Sequence, residues 1–222
     1  MATSMIVGVI TETLAKESRV AISPTSVKLI LSLGYAVQLQ SGCGNRAFFS
    51  DADYEQVGAK VLTSASEVLA TSDVVLKVTP PTEQEIEMVR PGTAWIGYLW
   101  PARNQPLMEK LRVKKVSAIA MDCIPRISRA QKMDALSSMT NIAGYRAIIE
   151  AANVFSGFFA GQITAAGKVP PLKVLVIGAG VAGLAAIRAA PRLRSHCSRL
   201  IRVPQIKEQV QSDGSRISRT RF

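Results

Sequence analysis

Three glycines in the segment GAGVAG, residues 178–183, have the spacing that most plainly indicates chemistry in this chain. The segment follows an apolar run, residues 172–177, and precedes an alanine-rich stretch, which is the strand–turn–helix context of dinucleotide-binding turns. Gly178 permits a tight turn, Gly180 lets the backbone approach a pyrophosphate, and Gly183 lets helix and strand pack closely. An ordinary glycine-rich turn is the alternative. We predict a dinucleotide site formed by Gly178, Gly180, Val181 and Gly183.

The acidic residue that completes such a fingerprint is missing. In dinucleotide-binding domains, an Asp or Glu about 20 residues further on binds the ribose hydroxyls. Here no acidic residue occurs between Leu184 and Lys207. Pro191 also falls inside the expected helix, where a proline costs about 3 kcal/mol. The sequence therefore predicts weak nucleotide binding, or a ribose that is held by other groups.

The first 125 residues alternate short apolar runs with amphipathic segments of helix length. Parallel strands need a crossover connection, so strands separated by helices indicate an α/β domain with a parallel sheet. The apolar runs predict strands at residues 5–10, 35–40, 74–78, 94–99 and 116–121. The amphipathic segments predict helices at residues 24–33, 53–58, 82–89 and 104–112.

After residue 125 the pattern changes. Residues 126–138 are polar and charged and predict no strand, whereas residues 141–162 predict one long helix. The apolar strand at residues 172–177 then begins a second α/β domain. We predict two domains, residues 1–138 and residues 139–222, with residues 188–222 basic and divergent.

The net charge of +11 is concentrated near the C-terminus. Residues 188–222 contain nine Lys or Arg against two Asp or Glu, whereas residues 1–187 contain eighteen against fourteen. A basic tail can bind nucleic acid, but this one has no interleaved aromatic residues and follows an enzyme-like body. We predict no nucleic-acid partner.

Cysteine content and hydropathy argue against a disulfide-rich, metal-binding, membrane-spanning or exported protein. Cys43, Cys123 and Cys197 are odd in number and lack metal-ligand spacing, which indicates free thiols in a reducing compartment and no metal site. The most weakly charged stretch, residues 142–167, is interrupted by two charges, so we predict no transmembrane segment. The N-terminus lacks a signal-peptide pattern.

One segment is more specific than the glycine turn: PRISRAQKMDALSSMTNIAGYRAIIEAA, residues 125–152. With GQITAAGKVPPLKVLVIGAGVAGLAA, residues 161–186, it closely resembles the NAD-binding alpha subunit of bacterial proton-translocating NAD(P) transhydrogenases, within the alanine dehydrogenase/transhydrogenase family. The resemblance spans residues 5–187 and is that of a truncated member. Shorter matches are ESRVAISP, DVVLKV and YLWPARN, at residues 17–24, 73–78 and 98–104.

This resemblance implies a flavodoxin-like parallel sheet followed by a truncated Rossmann domain, with NAD(H) in the cleft between them. In the family, the loop that matches residues 126–138 helps to hold the nicotinamide end of the cofactor. An exposed salt bridge or a helix cap is the alternative for each of its polar residues, Asp134 included. The implied cofactor contacts are Arg126, Ile127, Ser128, Arg129, Gln131, Asp134 and Ser137, with Gln131 and Asp134 also implied in catalysis.

The resemblance also implies a reaction: direct hydride transfer between NAD(H) and NADP(H), coupled to proton movement across a membrane. Such a transfer needs two nicotinamide rings held about 3 to 3.5 Å apart, and no nucleophile or proton donor. In the family a partner domain binds NADP(H), and the beta subunit and membrane domains complete the translocase. The implied enzyme is of the Si-specific, proton-translocating type, a homodimer at the cytoplasmic face of the bacterial inner membrane. We expect this chain by itself to be inactive.

Alanine dehydrogenases, which share the family fold, provide the second hypothesis. There, the arginine and lysine that match Arg19 and Lys77 contact the amino-acid substrate, and a histidine acts near it. Trp100 occupies the position that matches this histidine, and the only histidine of the chain is His196. Because tryptophan cannot act as a base near neutral pH, Arg19 and Lys77 are interpreted as ion-pairing or cleft residues. A non-catalytic remnant is the third hypothesis.

The resemblance is lost at residues 188–206 and returns at KEQVQS, residues 207–212. The intervening nineteen residues match the family in length, which suggests a compensated reading-frame shift. On this alignment Ile201 replaces the acid that binds ribose. We predict that the tail from residue 188 lacks helix and strand periodicity, and that the second domain is partial while the first domain folds.

Overall fold

The computed structural model describes residues 5–200 and 216–217. The chain divides into two compact units, Met1–Asp134 and Ala135–Phe222, and each contains a parallel sheet. Among the described residues, no helix is both long and apolar enough to span a lipid bilayer.

The first unit consists of six strands, five α-helices and short 3-10 turns within its described residues. The strands are β1 (Ile6–Val9), β2 (Ala36–Gln40), β3 (Lys60–Leu62), β4 (Val74–Leu76), β5 (Ala94–Gly97) and β6 (Ser117–Ala120). The helices are α1 (Pro24–Ser32), α2 (Asp51–Gln56), α3 (Ala65–Thr71), α4 (Glu83–Met88) and α5 (Gln105–Val113). The 3-10 helices are Asn45–Ala47, Met121–Cys123 and Ser128–Met133.

All six strands of the first unit pair in parallel, in the order β3-β2-β1-β4-β5-β6. The chain builds outward from β1 through β2 to β3, then returns to the other side of β1 and continues through β4 to β6. The direction of winding therefore reverses between β1 and β4. In open α/β sheets, the crevice beyond the carboxyl ends of the strands at such a switch point is the usual place for ligands.

The predicted α/β class is confirmed, and the edge strand β3 modifies the expected flavodoxin-like order. Flavodoxin-like sheets have the order 2-1-3-4-5, which is the order of the other five strands here when β3 is left out. Both β3 and α3 were missed by the sequence prediction. The reason for β3 is that three residues, Lys60–Leu62, are too short to show an alternating pattern.

Side-chain caps fix where the helices begin. Ser23 accepts a hydrogen bond from the Ser26 backbone N–H, and Pro24 occupies the first turn of α1. Capping boxes start α2 at Ser50 and α4 at Thr82, through Asp53 and Glu85 respectively. The capping box at Ser50 explains why α2 begins two residues before the predicted residue 53.

Two apolar clusters cover opposite faces of the first sheet. β4 contributes Val75 to one cluster, which also contains Trp95, and packs Val74 and Leu76 against the other. Since successive strand residues point to opposite faces, the clusters lie on the two sides of the sheet. Trp95 and Tyr54, one from each cluster, are completely buried.

The second unit begins with a long helix and contains a hairpin and a small parallel sheet. The elements are α6 (Ala135–Val154), β7 (Gln162–Thr164), β8 (Gly167–Val169), β9 (Lys173–Ile177), α7 (Val181–Arg192), β10 (His196–Leu200) and β11 (Arg216–Ile217). The sheet has the order β11-β10-β9, and β7 pairs with β8 in an antiparallel hairpin.

The predicted long helix at residues 141–162 is wrong at both ends. α6 begins at Ala135, directly after Asp134, because residues 135–140 continue the same helix-compatible pattern. It ends at Val154, and Gln162 already belongs to β7. The hairpin turn depends on Gly167, whose φ of 136° is a conformation that favours glycine.

The expectation that periodicity ends at residue 188 is also wrong within the described residues. α7 continues to Arg192, and the parallel strand β10 follows. Pro191 lies in the last turn of α7, where its missing N–H removes the hydrogen bond to the Ile187 carbonyl one residue before the helix ends. The predictions for Ile201 and residues 207–212 lie outside the described residues.

Candidate functional site

The glycine turn between β9 and α7 has the geometry that its sequence predicts. Gly178 adopts φ 99°, a left-handed conformation that strains residues with a side chain. A methyl group at Gly183 would lie 2.2 Å from the carbonyl oxygen of Gly178, so strand and helix pack at glycine distance. At Gly180 a methyl group would meet no heavy atom within 4 Å. The turn is therefore closed on the side of the sheet and open on the other.

The open side exposes the beginning of α7. Gly180 is the residue before the helix and provides no side-chain cap, and Val181 is the first helical residue. The first N–H groups of a helix lack partners within the helix and carry a partial positive charge. A pyrophosphate fits this arrangement, because it supplies acceptor oxygens and negative charge.

A mid-helix glycine, which sequence reasoning did not single out, seats α6 against this turn. A methyl group at Gly144 would lie 2.1 Å from the carbonyl oxygen of Ala182, in the first turn of α7. Gly144 is buried although its neighbours on α6 are largely exposed. Glycine in a helix interior costs about 1 kcal/mol of stability relative to alanine. A glycine in the middle of a predicted helix could therefore have indicated a close contact with another element.

The loop implied to hold the nicotinamide end begins just after the 3-10 turn Met121–Cys123. Main-chain hydrogen bonds hold it: Ala130 donates to the Ile127 carbonyl at 2.9 Å, and Asp134 donates to the Gln131 carbonyl at 3.2 Å. Ala130 is buried and anchors the 3-10 helix Ser128–Met133. The side chains left exposed are Arg126, Ile127, Ser128, Arg129 and Gln131.

These exposed side chains are available for contacts outside the loop. In the part of the chain that is described, no carboxylate pairs with Arg126 or Arg129. The salt-bridge alternative considered for these two arginines therefore finds no support. Asp134 directly precedes α6 and is half-buried, and Ser137 lies in the first turn of α6. Residues 126–134 belong to the first unit, whereas Ser137 and the glycine turn belong to the second.

An aromatic and cationic ladder follows β5 in the first unit. The rings of Tyr98 and Trp100 stack with centroids 6.4 Å apart and planes 25° apart. The Arg19 guanidinium lies 5.9 Å from the Tyr98 ring centroid, and the Arg103 guanidinium lies 5.9 Å from the Trp100 ring centroid. Burial is the main reason that the pKa of Tyr98 is raised; Arg19 opposes this rise, and the charge of Asp134 adds to it.

Trp100 is held in a strained backbone conformation, with φ 50°. A bulky residue in the left-handed region costs about 1 to 3 kcal/mol and persists only where its surroundings fix it. Asp122 supplies that restraint, since its Oδ1 accepts from the N–H groups of Leu99 at 2.8 Å and Trp100 at 3.2 Å. The Trp100 carbonyl in turn accepts from Arg103 and Asn104.

Charged side chains of the protein lie just after the carboxyl ends of β1 and β4, at the switch point. Lys77 is buried, and its Nζ lies 3.0 Å from Glu85 Oε2. Glu12 accepts from the backbone N–H groups of Val78 at 2.6 Å and Thr79 at 3.1 Å. Buried charges are stable only when they are paired and hydrogen-bonded, as these are.

Of the two roles considered for Arg19 and Lys77, ion pairing and lining a cleft, the structure shows ion pairs for both residues. Arg19 forms a bidentate pair with Glu17, with an Nη2–Oε2 distance of 2.7 Å, and Lys77 pairs with Glu85. The hydrogen bond from Arg19 lowers the pKa of Glu17. Neither cation is therefore unpaired at the switch point.

The prediction of free thiols is confirmed for two cysteines. Cys43 is buried and Cys123 is exposed, and neither forms a disulfide. Burial raises the pKa of the Cys43 thiol to about 12, so this side chain stays neutral near pH 7. The side chain of Cys197 lies outside the described residues.

Comparison with known protein families agrees with both units. The model described as "Alanine dehydrogenase/PNT, N-terminal domain" matches residues 8–143, and the model described as "Alanine dehydrogenase/PNT, C-terminal domain" matches residues 147–221. The chain belongs to the alanine dehydrogenase/PNT family. The family includes proteins with different activities, so membership alone does not decide the reaction.

Individual relatives extend the comparison. The chain is 53% identical to the NAD(P) transhydrogenase subunit alpha of Haemophilus influenzae over 95% of its own length and 41% of that protein. It is 32% identical to the alanine dehydrogenase of Mycolicibacterium smegmatis, over 86% of this chain and 52% of that protein. The crystal structure of the Sinorhizobium meliloti transhydrogenase superposes with a TM-score of 0.92 at 42% identity, covering 96% of this chain and 61% of that one. The chain thus spans about half of these relatives.

Proposed function

We propose that this chain is the NAD(H)-binding component of a proton-translocating NAD(P) transhydrogenase. Its greater identity to transhydrogenase subunits than to alanine dehydrogenases supports this proposal. The observation that carries the nucleotide assignment is the glycine turn, with Gly178 left-handed, Gly183 in close contact and the side of Gly180 open. The turn suits a pyrophosphate, and the absence of acidic residues between Leu184 and Lys207 suits only weak binding of the adenosine ribose.

The proposed chemistry needs positioning and no acid–base catalyst. The bound nicotinamide supplies or accepts a hydride, and the protein must hold the ring in a near-attack pose. Gln131 and Asp134 bear the amide and carboxylate that would orient a carboxamide. Arg126, Ile127, Ser128, Arg129 and Ser137 would complete the nicotinamide end, and Val181 would adjoin the pyrophosphate.

The remaining components belong to other segments or partners in this proposal. NADP(H) would be bound by a partner domain, and the beta subunit and membrane domains would couple hydride transfer, of the Si-specific type, to proton movement. This chain would then act, as a homodimer, at the cytoplasmic face of a bacterial inner membrane through its partner. The chain spans 41% of the Haemophilus influenzae subunit, and therefore its activity is proposed only together with those parts.

The alanine dehydrogenase alternative has less support from the first unit. An amino-acid substrate at the switch point would need the side chains that match Arg19 and Lys77. Lys77 instead lies buried against Glu85, and Arg19 forms a bidentate ion pair with Glu17. Trp100 also lacks a titratable group for removing a proton from an amine.

Nucleotide binding by this chain provides the first test. We expect NADH to bind in the millimolar range, as measured by titration of its proton NMR signals, and Gly180→Ala to weaken that binding. Replacing Arg126, Gln131 and Asp134 together by alanine should also weaken it, whereas Lys60→Ala, on the opposite edge strand, should not. Micromolar NADH affinity would contradict the predicted weak site, and binding that ignores all of these substitutions would contradict the proposed site.

Two activity assays, together with the binding measurement, separate the three hypotheses. Hydride exchange between NADH and an NADP analogue that requires added beta subunit supports the transhydrogenase component. Reduction of NAD⁺ that depends on L-alanine supports the dehydrogenase. Absence of nucleotide binding and of both reactions supports the non-catalytic remnant.

A further inference from the structure

Trp100 is presented to solvent by a restrained loop. Its side chain is 39% exposed, although its backbone is strained and is held in place by Asp122 and by two N–H groups that bond to its carbonyl. Residues held in such conformations cluster at active sites, ligand clamps and switch regions. The restrained loop therefore points to a use for this ring beyond packing.

A cationic side chain of the protein, that of Arg103, already lies over the Trp100 ring. The Arg103 guanidinium lies 5.9 Å from the ring centroid, while Tyr98 stacks at the ring with a separation of 6.4 Å. Among the described residues, no carboxylate pairs with Arg103. Arg103 lies at the ring in a cation–π contact with no ion pair among the described residues, so another planar cation could replace it.

Two acidic residues link the aromatic pair Tyr98 and Trp100 to the proposed nicotinamide loop. Asp122, which bonds the Trp100 N–H, lies four residues before Arg126. At the other end of the loop, the charge of Asp134 acts on Tyr98. All of these residues belong to the first unit.

We propose that Trp100 is a specificity residue that binds the oxidised nicotinamide ring by a cation–π contact, in exchange for the Arg103 guanidinium. The inference rests on the proposed NAD(H) function. The oxidised ring is a planar aromatic cation, whereas the reduced ring is neutral and gains no such attraction. Trp100 therefore favours NAD⁺ over NADH and shifts the bound redox equilibrium toward the oxidised nucleotide.

The test compares two nucleotides in four forms of the full chain. NAD⁺ and NADH are titrated separately against the wild type, Trp100→Phe, Trp100→Leu and Arg103→Ala, and the dissociation constants are obtained from nucleotide proton NMR signals. Trp100→Leu should raise the Kd for NAD⁺ by about two- to fivefold and leave the Kd for NADH unchanged. Trp100→Phe retains an aromatic face and should keep most of the preference for NAD⁺ over NADH. Arg103→Ala should lower the Kd for NAD⁺ and leave the Kd for NADH unchanged.

The nicotinamide protons give a second readout. Stacking on an indole should shift them upfield in the wild type, and Trp100→Leu should abolish that shift. The role of Trp100 is overturned if Trp100→Leu leaves the ratio of the two Kd values unchanged, whether or not both Kd values rise. The proposed function stands in that case. A wild-type chain that binds neither nucleotide overturns the proposed function, and this inference with it.

Discussion

The two parallel sheets of this chain share a beginning and differ in how they are covered. In each, three strands lie in the order 3-2-1, with a helix between the first two. In the first unit, β4 to β6 continue the sheet beyond β1, and apolar clusters cover both faces. In the described part of the second unit, β9 pairs only with β10, and one apolar cluster packs against Val174 and Val176.

The exposed face of β9 is the consequence. Leu175 and Ile177 are 61% and 76% exposed, whereas Val7 and Val9 on the equivalent strand β1 are 7% and 0% exposed. The same local strand–turn–helix pattern therefore gives a buried strand or a half-covered one. Its neighbours in the sheet and the helices on both faces decide which.

The largest expected effect contrasts the two sheets directly. Trp95→Ala removes a completely buried ring from the first sheet and should lower the free energy of unfolding by about 3 to 5 kcal/mol. Ile177→Ala, at an exposed position on β9, should change it by less than about 0.5 kcal/mol. Urea unfolding followed by circular dichroism measures both. Similar losses for the two variants would show that β9 is covered in solution.

A slightly smaller loss of stability is expected when the buried ion pair at the switch point of the first unit is broken. Lys77→Met leaves Glu85 as an unpaired buried charge and should cost about 3 kcal/mol of unfolding free energy. The double variant Lys77→Met with Glu85→Gln should recover most of that loss, because no buried charge remains and the amide oxygen can still accept from the Thr82 N–H that begins α4. Lys110→Met, which breaks the exposed pair with Glu83, is the matched control and should be nearly neutral. A neutral Lys77→Met would mean that Glu85 is hydrated and the switch point open.

Substitutions at two glycines of the turn should affect different properties: one the stability of the second unit, the other NADH binding. Gly183→Ala places a methyl group 2.2 Å from the Gly178 carbonyl oxygen and should destabilise the second unit by about 1 to 3 kcal/mol. Gly180→Ala enters open space and should leave stability within about 0.5 kcal/mol of the wild type while weakening NADH binding. Hydrogen exchange at β9 and α7, together with NMR titration, measures the two quantities. Equal effects of both variants on exchange would contradict the described turn.

The smallest effect is a pH dependence at the surface of the first unit. Arg19 lowers the pKa of Glu17, so this pair stabilises the folded state above the ordinary pKa of 4.5, and the stabilisation is lost as the pH falls through the lowered value. We expect at most about 1 kcal/mol, reduced by added salt. Comparing Glu17→Gln with the wild type over a series of pH values from 7 downward checks this: the difference in unfolding free energy should shrink below the ordinary pKa of 4.5. A difference that persists would assign the contribution to packing.

Much of the first sheet could be predicted, because each strand and helix carries its own signal. The strands β1, β2, β4, β5 and β6 fall within their predicted ranges, and so does α4, which Thr82 caps. β3 and the β7–β8 hairpin were missed, since three-residue strands show no period. The long helix was misplaced at both ends because a hydrophobic pattern fixes the existence of a helix better than its boundaries.

Sequence alone determined the parallel α/β class and the glycine turn, because each depends on residue types within a short segment. Only the tertiary structure decided that Gly144 contacts the start of α7, that Tyr98 and Trp100 stack between two guanidinium groups, and that one face of β9 is uncovered. These features depend on contacts between residues far apart in the chain. Such contacts are fixed by how whole elements pack together.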